Sequence, residues 1–101
     1  MPIDFNGLDT MVHGRVRLGV LAALQVDRKL DFTTLKKRLE VPDGALGTHL
    51  RKLEEADYIA SSKTWIGRRP RTTYRLTPQG RRALSEYLRS MRCLLESIEV
   101  D

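Results

Sequence analysis

A chain of 101 residues is long enough for one domain with a single modest core, and 41% apolar with 31% charged residues is typical of a folded globular protein. No apolar run approaches the roughly 20 residues of a membrane span, and the first residues show neither a basic leader nor an apolar signal segment. We therefore expect no membrane partner and a cytoplasmic location. A single cysteine excludes an internal disulfide and a multi-thiolate metal site.

The net charge of +5 is unevenly distributed along the chain. Residues 58–85 contain seven basic side chains and no acidic one, whereas the remainder mixes both signs and is slightly acidic. A basic strip without interspersed carboxylates is typical of a surface that binds nucleic acid. The alternative is a solvated surface that only favours solubility.

The first part of the chain predicts two helices and a connector between them. Apolar residues recur at helical spacing over residues 12–26 and predict the first helix. Residues 28–32 then form an extended connector or a single short strand. A short helix over residues 33–39 has Thr33 as its N-cap, and Pro42 follows its end.

A third helix is predicted to start near Asp43 and to run to about Glu55. Its leucines at positions 46, 50 and 53 fall within a narrow arc that must face the core. We expect Asp43 to cap the helix because Pro42 has no capping side chain, and Asp57 to adopt a left-handed conformation after its end. The exposed face of this helix then consists of Gly44, Ala45, Thr48, Arg51 and Lys52, with Glu55 at its far end.

The second half of the chain predicts a hairpin followed by a long helix. β-Branched and aromatic residues indicate strands over residues 58–66 and 72–76, and the Gly and Pro of residues 67–71 indicate the turn. Thr77 is a good N-cap and Pro78 suits the first position of the last helix. This helix runs to about Ile98, with an apolar stripe of Leu84, Tyr87, Leu88, Met91, Leu94, Leu95 and Ile98.

This order of elements predicts a helix-turn-helix followed by a β wing. The stretches "LEVPDGALGTHLRKLEEADYI" and "GRRPRTTYRLTPQGRRAL" resemble the short winged-helix transcriptional regulators related to the MarR and ArsR families. The resemblance implies an α+β fold, mostly α, with a two-stranded wing and a long C-terminal dimerisation helix. It also implies that the third helix enters the DNA major groove, that the wing reaches a minor groove or the backbone, and that terminal helices form a two-fold dimer.

The candidate site residues follow from this placement on the sequence. His49 lies at the edge of the buried arc, so a half-buried packing role competes there with DNA contact. The residues expected to contact DNA are Ala45, Thr48, His49, Arg51 and Lys52 on the third helix, and Lys63, Arg68, Arg69, Arg71 and Arg75 on the wing, with Arg68, Arg69 and Arg71 at its turn. The residues expected at the dimer interface are Leu8, Met11, Leu84, Leu88, Met91, Leu95 and Ile98.

Other functional classes have less support in the sequence. No nucleophile, base and orienting acid form a recognisable set, so we expect neither an enzyme nor a cofactor. His13 and His49 lack neighbours at metal-ligand spacing, and Cys93 alone is more often an apolar filler than a redox sensor. We therefore predict a homodimeric regulator that binds double-stranded DNA, most simply a repressor, with no effector identified. A protein-binding winged helix and a non-specific nucleoid-type binder remain the alternatives.

Overall fold

The computed structural model describes residues 8–98, so residues 1–7 and 99–101 of the predicted single domain lie outside the described part. The elements in chain order are α1 (Arg15–Asp27), β1 (Lys29–Asp31), α2 (Phe32–Leu39), α3 (Asp43–Glu55), β2 (Ile59–Ile66), β3 (Arg69–Leu76) and α4 (Pro78–Ser97). The predicted helix-turn-helix followed by a hairpin and a long helix is therefore confirmed.

One hydrophobic core joins the helices to the base of the sheet. Leu21 and Leu24 of α1, Leu46 and Leu53 of α3, and Ile59 of β2 are each at most 2% exposed and belong to the same cluster. The leucines of α3 face the core as their spacing predicts. The opposite face of α3 is consequently left on the surface.

The sheet is antiparallel and has three strands in the order β1-β3-β2. The prediction of two strands is therefore wrong at the base of the wing, where the sheet has three. There Lys29–Asp31 pairs with Arg75–Thr73 and adds an edge strand. The sequence predicted either a connector or a short strand over residues 28–32, and Lys29–Asp31 within this segment forms the strand β1. Beyond Thr73 the wing does consist of β2 and β3 alone.

The cap of α2 differs from the sequence prediction. The Thr34 backbone N–H donates to Asp31 Oδ1 at 2.8 Å, so Asp31 and not Thr33 caps the helix. The helix begins earlier than expected because Asp31 ends β1 and is held extended by its pairing with Thr73. Asp31 therefore belongs to both the sheet and the helix-turn-helix.

The two ends of α3 give one correction and one confirmation. Asp43 does not cap the helix, because its Oδ1 lies 2.6 Å from Lys36 Nζ of α2. The N-cap residue is Pro42, and no side chain makes a capping hydrogen bond there. At the other end Asp57 has φ 64°, as predicted for a left-handed residue after the helix. The N–H groups of Asp57 and Tyr58 donate to the carbonyls of Glu54 and Leu53, which is a Schellman closure.

The start of α4 is fixed against the end of α3. Thr77 caps the helix by accepting from the Gly80 N–H at 2.9 Å, with Pro78 at the first position, as predicted. The Thr77 hydroxyl also donates to the Asp57 carbonyl at 2.6 Å, and its N–H donates to the Tyr58 carbonyl at 3.1 Å. A β-carbon on Gly80 would lie 1.9 Å from that Tyr58 oxygen, so only glycine fits.

Candidate nucleic-acid interface

The exposed face of α3 has small side chains in its N-terminal half, two cations further on and Glu55 at its far end. Gly44, Ala45 and Thr48 are exposed there, followed by Arg51 and Lys52. The Thr48 hydroxyl donates to the Gly44 carbonyl at 2.9 Å, one turn earlier. Because that bond occupies the hydroxyl proton, Thr48 has a lone pair and a methyl group to offer to a ligand.

His49 lies between the core and this face. The residue is half-buried, and its Nδ1 is enclosed without a hydrogen-bond partner among the described residues. Burial lowers the pKa of His49, and the positive charges of Arg17 and Lys52 lower it further. A neutral, enclosed ring favours the packing role over direct contact with a phosphate.

The wing extends well beyond the body of the protein. Every residue of β2 from Ser61 onward is exposed, and five residue steps to Ile66 span about 17 Å at strand rise. Ile66 pairs with Arg69, so the turn contains only Gly67 and Arg68. Gly67 has φ 63°, and a positive φ at the first loop residue is the pattern of a type II′ turn.

This short turn corrects the expected position of two arginines. Arg69 and Arg71 were predicted at the turn but lie within β3, opposite Ile66 and Thr64. Pro70 is accommodated in the strand because β1 stops at Thr73 and leaves that edge of β3 open. Of the predicted turn arginines, only Arg68 occupies the tip.

Alternation along the strands gives the wing two chemically different faces. The inner face continues the core side of the sheet from Ile59 and Leu76, and contains Lys63 and Trp65 with their partners Thr72 and Pro70. The outer face contains the basic side chains of β3: Arg69, Arg71 and Arg75, with Thr73 among them. Thr73 lies on this outer face but is buried, because β3 is the central strand there.

One of the wing arginines is not free. Arg71 Nε donates to Asp31 Oδ2 at 3.0 Å, so an acid distant in sequence compensates part of the basic strip. Hydrogen bonds from Thr34 lower the pKa of Asp31, and the nearby Arg71 charge lowers it further. The same carboxylate thus caps α2 and forms an ion pair with Arg71 of β3. The remaining candidates form no ion pair with an acid among residues 8–98: Arg51, Lys52, Lys63, Arg68, Arg69 and Arg75.

We expect Asp31→Asn to lower the free energy of unfolding by about 0.5–1 kcal/mol at neutral pH, because asparagine keeps the cap but loses the ion pair. Since folding lowers the pKa of Asp31, its contribution is complete above the ordinary value of 3.8 and is lost as pH falls through the lower folded pKa. Urea titrations of both proteins across this range measure the difference. In an Arg71→Gln background the same substitution should cost less, and an equal cost would contradict the ion pair.

Three features of this surface are not evident from sequence reasoning alone. Aspartate is a residue type that often caps helices, so the role of Asp31 as a cap could be recognised in the sequence. Its contact with Arg71 could not, because that contact depends on the pairing of β1 with β3. Trp65 and Ile66, 63% and 59% exposed, lie beside the tip although aromatic and β-branched residues in a strand usually indicate a core. Their exposure at the distal end of a hairpin is visible only once its two-residue turn is known.

The described residues give no sign of a metal centre or a membrane segment. Among residues 8–98, no three or more His, Cys, Asp or Glu side chains are grouped so that they could hold a metal ion. None of the helices in this part of the chain is long and apolar enough to cross a bilayer.

A helix-turn-helix with an exposed recognition helix and a basic β wing defines the class of winged-helix DNA-binding proteins. The chain belongs to the winged helix DNA-binding domain family, which matches residues 16–95. An uncharacterised protein of Methanocaldococcus jannaschii is 36% identical over 84 residues, covering 83% of this chain and 91% of that protein.

Solved structures agree with this assignment. A transcriptional regulator homologue from Pyrococcus horikoshii superposes with a TM-score of 0.82 at 29% identity, covering 89% of each chain. A MarR family regulator from Silicibacter pomeroyi has the same fold, with a TM-score of 0.68 at 19% identity over 87% of this chain and 58% of that one. The resemblance to winged-helix regulators is confirmed, and these similar structures are regulators rather than enzymes.

Proposed function

We propose that the protein is a homodimeric, sequence-specific regulator that represses transcription by occluding promoter DNA. The observation that carries this proposal is the absence of acidic residues from 58–85, combined with cations on both α3 and the wing that form no ion pair among residues 8–98. In this arrangement Ala45, Thr48, Arg51 and Lys52 of α3 face the major groove, and the wing follows the neighbouring backbone. Residues 1–101 act as one domain.

The two parts of the interface have different tasks. Thr48 and Arg51 have the chemistry to contact base edges, whereas the bare surface of Gly44 and Ala45 permits a close approach of the helix backbone. Arg68 and Arg69 at the distal wing neutralise phosphates, with Lys63 and Arg75 further along the strands. His49 supports α3 from behind. We therefore propose sparse base recognition with affinity dominated by the backbone.

The dimer is proposed to form along α4. No residue of α4 after Met91 is buried, and Leu88, Leu95 and Ile98 are 48%, 58% and 50% exposed. Leu84 is only 3% exposed and contributes to the core of its own protomer instead. Leu8, Met11 and Met91 are half-buried against that core. An isologous pairing of two such helices would cover the stripe in both copies.

Base contacts and phosphate contacts can be separated by substitution. Arg69→Ala should lower the slope of log affinity against log salt by about 0.9 per phosphate, hence up to about 2 in a dimer, for selected and random duplex alike. Thr48→Ala and Arg51→Ala should instead reduce the preference for the selected duplex by roughly 1–3 kcal/mol per half-site. The measurement is a salt series on a fragment selected from genomic DNA and on a random competitor.

Arg71→Ala is the matched control for Arg69→Ala, because Arg71 lies one pleat away on the same face but is paired with Asp31. Its effect on the salt slope should be smaller. Equal affinity for the genomic fragment and the random duplex would favour a nucleoid-type binder. No binding to any duplex at low salt would contradict the proposal and favour a protein-binding winged helix.

A further inference from the structure

The inner face of the wing ends in an exposed indole that the basic strip alone does not explain. Trp65 is 63% exposed although it is the largest apolar side chain in the protein. It lies opposite Pro70, one pair before the turn, so these two residues form an apolar end on the inner face. Lys63 Nζ lies 5.6 Å from the centre of the Trp65 ring and places a cation on the same face.

The chemistry around this indole identifies its partner. An apolar surface that has Lys63 on the same face and Arg68 at the adjacent tip, with no acid from 58 to 85, fits an anionic partner that also offers apolar edges. Duplex DNA provides both, because deoxyribose and base edges line the minor groove between two rows of phosphates. A second copy of the basic wing, by contrast, would be repelled.

The reach of the wing agrees with this partner. Trp65 lies six residue steps from Ile59, the first residue of β2, about 20 Å at strand rise, and on the sheet face towards the helices. Adjacent major and minor grooves are half a helical turn apart, about 17 Å. With α3 in the major groove, the inner face of the wing end is thus at the distance of the next minor groove.

We infer that Trp65, backed by Pro70, enters the minor groove as an apolar wedge and kinks the duplex, while Arg68 and Arg69 contact the flanking phosphates. Side chains that unstack a base step in this way bend DNA by roughly 20–90°. Pyrimidine–purine steps such as TA open most easily, so Trp65 adds a preference for flexible A·T-rich sequence beside each major-groove contact. This inference rests on the proposed DNA-binding function.

The protein contains its own probe, because Trp65 is its only tryptophan. Adding an alternating A·T duplex at low salt should shift its emission to the blue and reduce its quenching by acrylamide. A G·C duplex of equal length should do so less. End-to-end energy transfer in a doubly labelled A·T duplex should report a kink that appears only with the protein.

The decisive comparison is between Trp65→Ser and Ile66→Ser. Both residues are exposed and adjacent, but alternation places Ile66 on the outer face of the wing. Trp65→Ser should weaken A·T duplex binding at least about ten-fold and abolish the kink, whereas Ile66→Ser should change neither. Trp65→Phe should restore most of the kink. Unchanged melting temperatures in both serine variants confirm that folding is unaffected.

Failure of this inference differs from failure of the proposed function. Salt-dependent duplex binding with unchanged Trp65 emission and full affinity of Trp65→Ser would overturn the wedge and leave the function standing. No wild-type binding to any duplex would overturn the function and the wedge together. Shielding of the indole that rises with protein concentration in the absence of DNA would show that a second copy covers it, and would also overturn the wedge.

Discussion

Gly80→Ala should destabilise the protein by about 3 kcal/mol or more, a large part of the 5–15 kcal/mol typical of a domain. The new β-carbon would lie 1.9 Å from the Tyr58 carbonyl oxygen and 2.7 Å from its carbon. These are backbone atoms, and the same carbonyl accepts from the Thr77 N–H at 3.1 Å, so it cannot move without breaking the junction between α3 and α4. Urea or thermal unfolding measures the loss.

Gly47→Ala is the matched control for this substitution. Gly47 is also helical, but a β-carbon there would meet nothing within 4 Å. The change should therefore raise the free energy of unfolding by about 0.5–1 kcal/mol, the usual gain of alanine over glycine inside a helix. If Gly80→Ala were as stable as the wild type, the two backbones could not be in contact in solution.

Leu95→Glu should give a monomer and cause DNA affinity to collapse. Leu95 is 58% exposed on α4, so the substitution leaves the protomer core intact, whereas Met91 packs against that core. A two-fold interface places the new charge in both subunits, and like charges then face each other. Light scattering should show monomers, and a footprint of two half-sites about 10 bp apart should be lost.

Cys93→Glu provides the comparison for the dimer. Cys93 is exposed on the same helix and, at 100° per residue, lies opposite the apolar stripe. The variant introduces the same side chain but should remain dimeric and bind DNA as the wild type does. A wild-type protein that is still monomeric at a concentration of roughly tens of micromolar would contradict the proposed interface.

Local signals were sufficient to predict most helix ends. The bounds of α3, Asp43–Glu55, agree with the leucine spacing, and Asp57 and the Thr77–Pro78 pair adopt the predicted roles. Each of these features depends on interactions within a few residues of the chain. The sequence therefore determines the recognition helix and its exposed face without reference to tertiary contacts.

The features that were predicted wrongly depend on distant pairing. Asp31 replaces Thr33 as the cap because β1 pairs with β3, a contact between residues far apart in sequence. The same pairing gives Arg71 an acidic partner. In the segment 67–71, Pro70 suggested a wide turn, but the open edge of β3 tolerates it and the turn shortens to two residues.

The edge strand β1 also constrains the order in which the chain can fold. The hairpin of β2 and β3 closes over a two-residue turn, so its ends meet at small cost in chain entropy. β1 can pair with β3 only after Arg75 has been synthesised, and the chain between Lys29 and Arg75 contains the whole helix-turn-helix. A ribosome therefore has to release almost the entire wing before β1 can join the sheet. Until then the Asp31 carboxylate can cap α2 but cannot pair with Arg71.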